Sequence, residues 1–321
     1  MTTAVATIRK RSVAIDGVRA LGVVAVVAGH TWPNDAWVSN WFFSWHVPVF
    51  FVISGYLWTP DRAIGAELRK RARTLAVPYA AWFIVVAAIW LSVRAAMGLS
   101  VSSEPWSDLL IGGAHISRPW SAFWFISALF VASIGMRFLD RHSAILPWFV
   151  GSAALAWCYA EPSSARSLPL AAVQGAVGIL FMCVGRFLRA QEAHIASPLV
   201  VGLIFISVPL VLTVADILPS LNLKAADLGE PIVTMAAASA ISCGLILVAR
   251  STEPHWPRAL RTVSTELARL GLPIILGHAL VLGLLALCQV EPSVWSFLMA
   301  LILPAAAGWL LSRTRVGTVF L

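Results

Sequence analysis

An all-α, polytopic transmembrane helical bundle of about ten spans is the fold class this sequence predicts. Three features carry that reading. Of 321 residues, 59% are hydrophobic and only 12% charged, and the mean hydropathy is +0.84, far too apolar for a soluble domain of that length. Apolar runs close to the ~20 residues that cross a bilayer as helix recur along the chain. Period-2 alternation is absent, which excludes a transmembrane barrel, whose strands alternate lipid-facing and lumen-facing residues.

The runs are centred near Val23, Phe51, Val86, Phe130, Ala153, Gly178, Phe205, Ala238, Leu280 and Leu301. The first follows IRKR and imitates a signal peptide. Asp16 and Arg19 interrupt its apolar core and no small-x-small cleavage pattern follows, so an uncleaved first helix is expected. The second is WFFSWHVPVFFVISGYLW, and the basic connection TPDRAIGAELRKRARTLAVPYAAW leads into the third. Between the third and fourth lies SVSSEPWSDLLIGGAHISRPWS. It is long enough to close over a cavity mouth as a partial lid, or it is a simple surface loop; Trp106 and Trp120 are its expected interfacial anchors. The fifth and sixth runs are interrupted by Gly or small residues, while Pro209 in the seventh and Pro273 at the start of the ninth mark kinks or helix starts. No linker, composition shift or internal repeat divides residues 1–321, so one integral domain is expected.

A net charge of +8 raises the question of nucleic acid, but the placement of the basic residues answers it. With ten spans and a cytoplasmic N-terminus, all but four of the 23 Lys and Arg fall on the inner side; Arg94, Arg118, Arg166 and Lys224 are the exceptions. The positive-inside rule then puts both termini in the cytoplasm of a multi-pass inner (plasma) membrane protein whose partner is the lipid bilayer, with no nucleic acid. Cys158, Cys183, Cys243 and Cys288 all lie in apolar spans without metal-like spacing and read as buried small hydrophobes.

Within the first run, IDGVRALGVVAVVAGHTW, Arg19 and His30 stand eleven residues apart. At about 100° per residue that returns to within about 20° of one helix face, with a rise of about 16 Å, and Asp16 shares the arc. Ionisable groups at membrane depth face a protein interior or a water-filled cavity, so this stripe is a candidate site. His46, in the outer part of the second run, falls at a depth similar to His30 on a neighbouring antiparallel helix. A neutral imidazole that takes a proton from a hydroxyl suits acyl transfer, hydrolysis or proton-coupled transport; the bland reading is a packing histidine on a backbone carbonyl.

Four basic residues crowd Arg69 to Arg73. Positive-inside charge and attraction to anionic lipid account for part of this, and bidentate binding of phosphates accounts for it equally. His30, His46, His115 and His278 have no carboxylate or cysteine at ligand spacing, so no metal site is expected, and the chain has no GxSxG elbow.

Taken together these segments resemble the integral-membrane acyltransferase-3 family. Its first-helix hallmark, Arg, ten residues, then His, is matched by Arg19 and His30. HVPVFFVISGYLW, with Phe50, Phe51, Ser54, Gly55 and Tyr56, is similar to its second-helix motif, and RKRARTLAVPYAAW, with Arg71, Arg73, Pro78 and Tyr79, to the basic segment that follows. WFISALF from Trp124 resembles its fourth-helix signature, and LGLPIILGHAL with His278 resembles its late Leu-x-His helix. The resemblance implies an O-acyltransferase of cell-envelope glycans and similar acceptors. It takes acyl-CoA as co-substrate with no permanently bound cofactor, His30 is the catalytic base, and Arg19, Arg71 and Arg73 hold the donor. Acetyl or another short acyl group would pass to a hydroxyl of a glycan, glycolipid or secondary-metabolite acceptor. Asp16 is expected to pair with Arg19, and His46, Ser54, Gly55, Tyr56, Trp124 and His278 to support the site or line its acceptor side. The competing reading is a transporter of a small anion or glycan that uses the same stripe as a proton relay.

Overall fold

The computed structural model describes residues 11–100, 108 and 111–321. Among them every regular element is a helix, and an isolated antiparallel bridge joins Asn222 to Asp227. In chain order the helices are α1 (Val13–Thr31), α2 (Ala36–Phe42), α3 (Pro48–Tyr56), α4 (Ile64–Arg71), α5 (Val77–Ala96), α6 (Phe123–Asp140), α7 (Leu146–Ala160) and α8 (Pro162–Ser167). They continue with α9 (Ala172–Gln191), α10 (Pro198–Val214), α11 (Pro231–Thr252), α12 (Arg258–Arg269), α13 (Gly271–Leu287), α14 (Val294–Ser312) and α15 (Gly317–Phe320). Their starts follow local chemistry. The Ser12 hydroxyl accepts from the Ile15 N–H at 3.5 Å and Asp35 from the Val38 N–H at 3.1 Å, while Ser293 and Ser296 form a capping box. Prolines occupy one of the first two positions of α3, α7, α10 and α11, where their missing N–H costs little, whereas Pro78 falls just after the Ala72–Ala76 π-helical turn that links α4 to α5.

Six helical stretches are long and apolar enough to cross a membrane: α1, the run Ile64–Ala96 formed by α4 and α5, α6, Pro169–His194, Pro231–His255 and α14. A seventh is counted if α12 and α13, bent by 68° around Leu270, make one broken span. The chain is therefore a multi-pass membrane protein. Each of the ten apolar centres lies on a helix, but Phe51, Ala153, Phe205 and Leu280 lie on the shorter α3, α7, α10 and α13. The second run departs most from its sequence reading. It is split into α2 and the nine-residue α3 by turns over Phe43–Val47, because Pro48 has no N–H to donate to the Ser44 carbonyl and the ladder stops there.

Pro209 lies inside α10, and Pro273 lies in the first turn of α13 just past the 68° bend. Trp106 lies outside the described residues. Trp120 is not an interfacial anchor: it is 1% exposed, with its ring stacked on Phe83 at 5.8 Å.

Burial sorts the bundle into inner and lipid-facing members. In α1, 67% of the most apolar 18-residue window is buried, against 22% for Ile64–Ala96 and for α14. α1 packs against α3, α11, α12, α13 and α14, and α9 packs against α3, α6 and α7. The α3–α9 crossing is a backbone-to-backbone approach. A Cβ added at Gly55 would lie 1.8 Å from the Met182 carbonyl oxygen, and one added at Gly185 would lie 1.9 Å from that of Val52. Only glycine permits that closeness, the small-residue packing that membrane helices favour where no hydrophobic force drives them together. The crossing holds α3 so that the preceding turn, with His46, lies over the C-terminal end of α1.

Candidate active site

The C-terminal end of α1 opens into a cavity of about 350 Å³. α1 contributes Val26, Gly29 and His30, the α2–α3 turn Phe43 and His46, and α6 Trp124 and Phe125. Two loops close it: Arg118 and Ser121 come from the segment before α6, and Leu221, Asn222, Leu223 and Lys224 from the α10–α11 connection. That second connection was not singled out from the sequence, and it is the one whose Asn222–Asp227 bridge folds it over the mouth.

Three imidazoles meet here. The His30 and His278 rings are 4.9 Å apart, edge to face at 64°. His278, fully buried on α13, has its Nδ1 3.0 Å from the Ile274 carbonyl oxygen. A carbonyl only accepts, so Nδ1 carries the hydrogen and Nε2 presents a lone pair. No hydrogen-bond partner meets that buried Nε2 among the described residues. His46 is fixed in the same manner, with Nδ1 2.8 Å from the Phe42 carbonyl oxygen. The bland packing contact thus does exist for His46 and His278, and it consumes one nitrogen of each. The side chain of His30 has no such anchor; its backbone carbonyl accepts from Arg118 Nη2 at 2.5 Å. Lys224 Nζ donates to the Ile116 carbonyl at 2.7 Å. Burial without a carboxylate beside it lowers the Lys224 ammonium from its ordinary 10.5 to about 8.

A second, basic cavity of about 720 Å³ lies near the opposite end of α1, lined by Arg69, Lys70, Arg73, Arg269, Ser312 and the C-terminal Leu321 among others. The charges of Arg19, Lys70 and Arg71 act on one another here. Arg19, 38% exposed, pairs with Asp16 at 3.4 Å, and Asp16 also takes Arg11. Arg71 does not line this cavity. Its Nε donates to Glu67 at 2.7 Å, and Glu67, fully buried, also holds Arg62 at 2.7 Å and lies 3.8 Å from Arg137. Arg137 in turn donates to the Thr59 carbonyl at 2.6 Å and to that of Pro60, and its guanidinium stands 3.9 Å over the Trp58 ring.

The residues singled out from the sequence therefore divide by place. His30, His46 and Trp124 line the first cavity and His278 backs it; Arg73 lines the second, with Arg19 and Asp16 beside it. Ser54, Gly55 and Tyr56 line neither. Gly55 makes the α3–α9 approach, and the Tyr56 hydroxyl donates to Glu192 at 2.6 Å at the basic end, where Arg189 and Arg250 also hold that carboxylate. The motif on α3 is thus divided, with Phe50 lining the cavity and Gly55 and Tyr56 serving the fold. Arg118 and Lys224 were missed as site residues although a signal existed: both are exceptions to the positive-inside bias.

A family model described as an acyltransferase domain, that of the acyltransferase-3 family, matches residues 12–313. Neither a curated protein nor a solved structure matches the chain.

Proposed function

This chain belongs to the acyltransferase-3 family, and on that premise we propose that it moves a short acyl group, such as acetyl, from cytoplasmic acyl-CoA to a hydroxyl of a glycan, glycolipid or similar acceptor, with His30 as general base. The family match makes it a membrane acyltransferase; donor, acceptor and base are our reading. What carries that reading is the arrangement along α1: an imidazole free of protein hydrogen bonds in a closed-over cavity at one end, and a basic cavity at the other.

The donor's phosphates would meet Arg73, Arg69 and Lys70 at the basic end, with Arg19 beside them, and the pantetheine arm would run along α1 towards His30. Arg19 and His30 are separated by about 16 Å of helix rise. The His278 ring, edge-on to His30 at 4.9 Å, would orient the His30 imidazole by contact and leave its nitrogens free to act as base. One of those nitrogens takes the proton of the acceptor hydroxyl as the oxygen attacks the thioester carbonyl. The new ester C–O bond forms, the C–S bond breaks, and the imidazolium returns the proton to the departing thiolate, so protons and electrons balance. Arg71 is engaged by Glu67 and does not line that cavity, so it would act on the donor only through its charge. The basic end would face the cytoplasm of the inner membrane, with about ten crossings and both termini inside, in keeping with the crowding of Arg62, Arg137, Arg186, Arg189 and Arg250 there.

The test is a deletion strain whose envelope glycans and glycolipids are profiled by mass spectrometry, complemented by wild type or by His30→Ala. An acyl group present with wild type and absent with an equally abundant His30→Ala protein is expected. Full acylation by His30→Ala would remove His30 as the base.

A further inference from the structure

The His30 cavity is unlike the rest of the molecule in its charge. Arg118 and Lys224 enter it from two loops, each held by a single backbone carbonyl and each with donors to spare. His30 and His46 face the same space with His278 behind His30, and among the described residues no carboxylate lines it. Three carboxylates of the neighbouring loops are engaged elsewhere. Asp35 caps α2, Asp216 accepts from Asn40 at 3.0 Å, and Asp227 accepts from the Gly229 N–H at 3.3 Å. Glu291 lines a separate small cavity together with Arg118 and forms no ion pair with it among the described residues. Half-buried cations with no counter-charge are costly, so a site that keeps two of them is built around an anion that arrives with a ligand.

The remaining lining suits a sugar. Phe43, Phe50, Trp124 and Phe125 offer flat apolar faces, and Ser121 in the lining has a buried hydroxyl with no partner among the described residues. Behind Lys224, the Gln174 amide reaches the Lys224 carbonyl at 3.4 Å and its buried side-chain oxygen is likewise unpartnered.

We infer that the acceptor is an anionic sugar, bearing a carboxylate or a phosphate on the ring or its first substituent, and that Arg118 and Lys224 clamp that group while His30 takes the proton from a nearby hydroxyl. This rests on the acyl-transfer reading of His30. It adds a charge requirement on the acceptor and two specificity residues contributed by loops. The acyl group is uncharged in this assignment, because the anion it accounts for belongs to the acceptor.

The experiment follows thermal unfolding of the full chain in lipid nanodiscs with glucose, glucuronate or glucose 6-phosphate. At pH 7 the two charged sugars raise the melting temperature and glucose does not. Lys224→Gln weakens charged-sugar binding about tenfold, and Lys224→Arg retains it. Should Lys224→Gln not fold, wild type read at pH 7 and pH 9.5 decides instead. The charged-sugar shift fades at the higher pH as Lys224 discharges, while glucuronate stays ionised. Equal stabilisation by glucose, no stabilisation by any sugar, or a charged-sugar shift unaffected by both Lys224→Gln and pH overturns the inference. A Lys224-dependent shift with succinyl-CoA over acetyl-CoA, absent with the sugars, also overturns it by moving the anion to the acyl group. The acyl-transfer reading is read separately by acetyl-CoA. If acetyl-CoA leaves wild type unshifted, that reading fails, whatever the sugar arms report.

Discussion

The two ends of this bundle treat charge differently, because only one of them surrounds its cavity with cations already matched by carboxylates. At the basic end, the cations outside the cavity are matched by carboxylates, while Arg69, Lys70 and Arg73 line it: Glu67 holds Arg62 and Arg71, Asp140 holds Arg186, and Glu192 holds Arg189 and Arg250. At the histidine end, Arg118 and Lys224 rest, among the described residues, on carbonyl oxygens alone. The difference separates charge that builds the fold from charge that waits for a ligand. It also explains why Arg71, for all its place in the basic cluster, is tied to Glu67 away from the cavity, while Arg73, without an ion pair among the described residues, lines it.

The sharpest way to break this contrast is at His30. His30→Ala is expected to lower acyl transfer by about 10²–10⁴-fold, the usual worth of a positioned general base, while the melting temperature rises with acetyl-CoA as in wild type. A loss of donor-induced stabilisation in that variant would mean that the two ends are not separable. Next comes Glu67→Gln, which leaves Arg62, Arg71 and Arg137 facing an uncharged amide. Removing one partner of a buried ion cluster costs about 3–5 kcal/mol, so a large drop in unfolding midpoint is expected. A midpoint equal to wild type would make that cluster dispensable to the fold. Gly55→Val forces a side chain against the Met182 carbonyl and is expected to cost at least about 1–3 kcal/mol, read as a lowered midpoint and poor recovery from the membrane.

Smaller still, Arg73→Gln is expected to raise KM for acyl-CoA about tenfold with little change in midpoint, since a hydrogen bond to a charged group is worth about 1.5–3 kcal/mol and salt screens part of it. A changed midpoint with unchanged KM would return Arg73 to the structural set. The smallest effect is a pH slope. Lys224 titrates at about 8 in the folded protein against an ordinary 10.5, so between those values the unfolded chain binds the extra proton. Stability is then expected to increase as pH rises through that window, because the cost of burying an uncompensated ammonium disappears. Comparing melting temperatures of wild type and Lys224→Met from pH 7.5 to 10 checks the sign. Identical slopes would mean that Lys224 is not the group responsible.

Membrane class, helical character and the Arg19–His30 stripe were legible from composition and spacing, because a bilayer imposes its solvent requirements residue by residue. The continuity of each run was less legible. Pro48 cuts the second apolar run because one missing N–H outweighs hydropathy, and the 68° bend at Leu270 is invisible to a window of apolar residues. The α3 motif shows the limit most clearly. Phe50, Ser54, Gly55 and Tyr56 are a single string in sequence, yet Phe50 lines the cavity, Gly55 meets Met182 and Tyr56 reaches Glu192.

By itself, then, the sequence determined that this chain enters a membrane as helices, that its first helix carries an arginine and a histidine on one face, and which family it resembles. Those follow from local periodicity and from the cost of charge in hydrocarbon, which act on each segment alone. Only the tertiary structure decided which cations pair and which stay open, that His278 stands 4.9 Å from His30, and that the loop with Lys224 closes the cavity. Those depend on which segments meet across long sequence separations, and on carbonyls and carboxylates whose reach no single segment encodes.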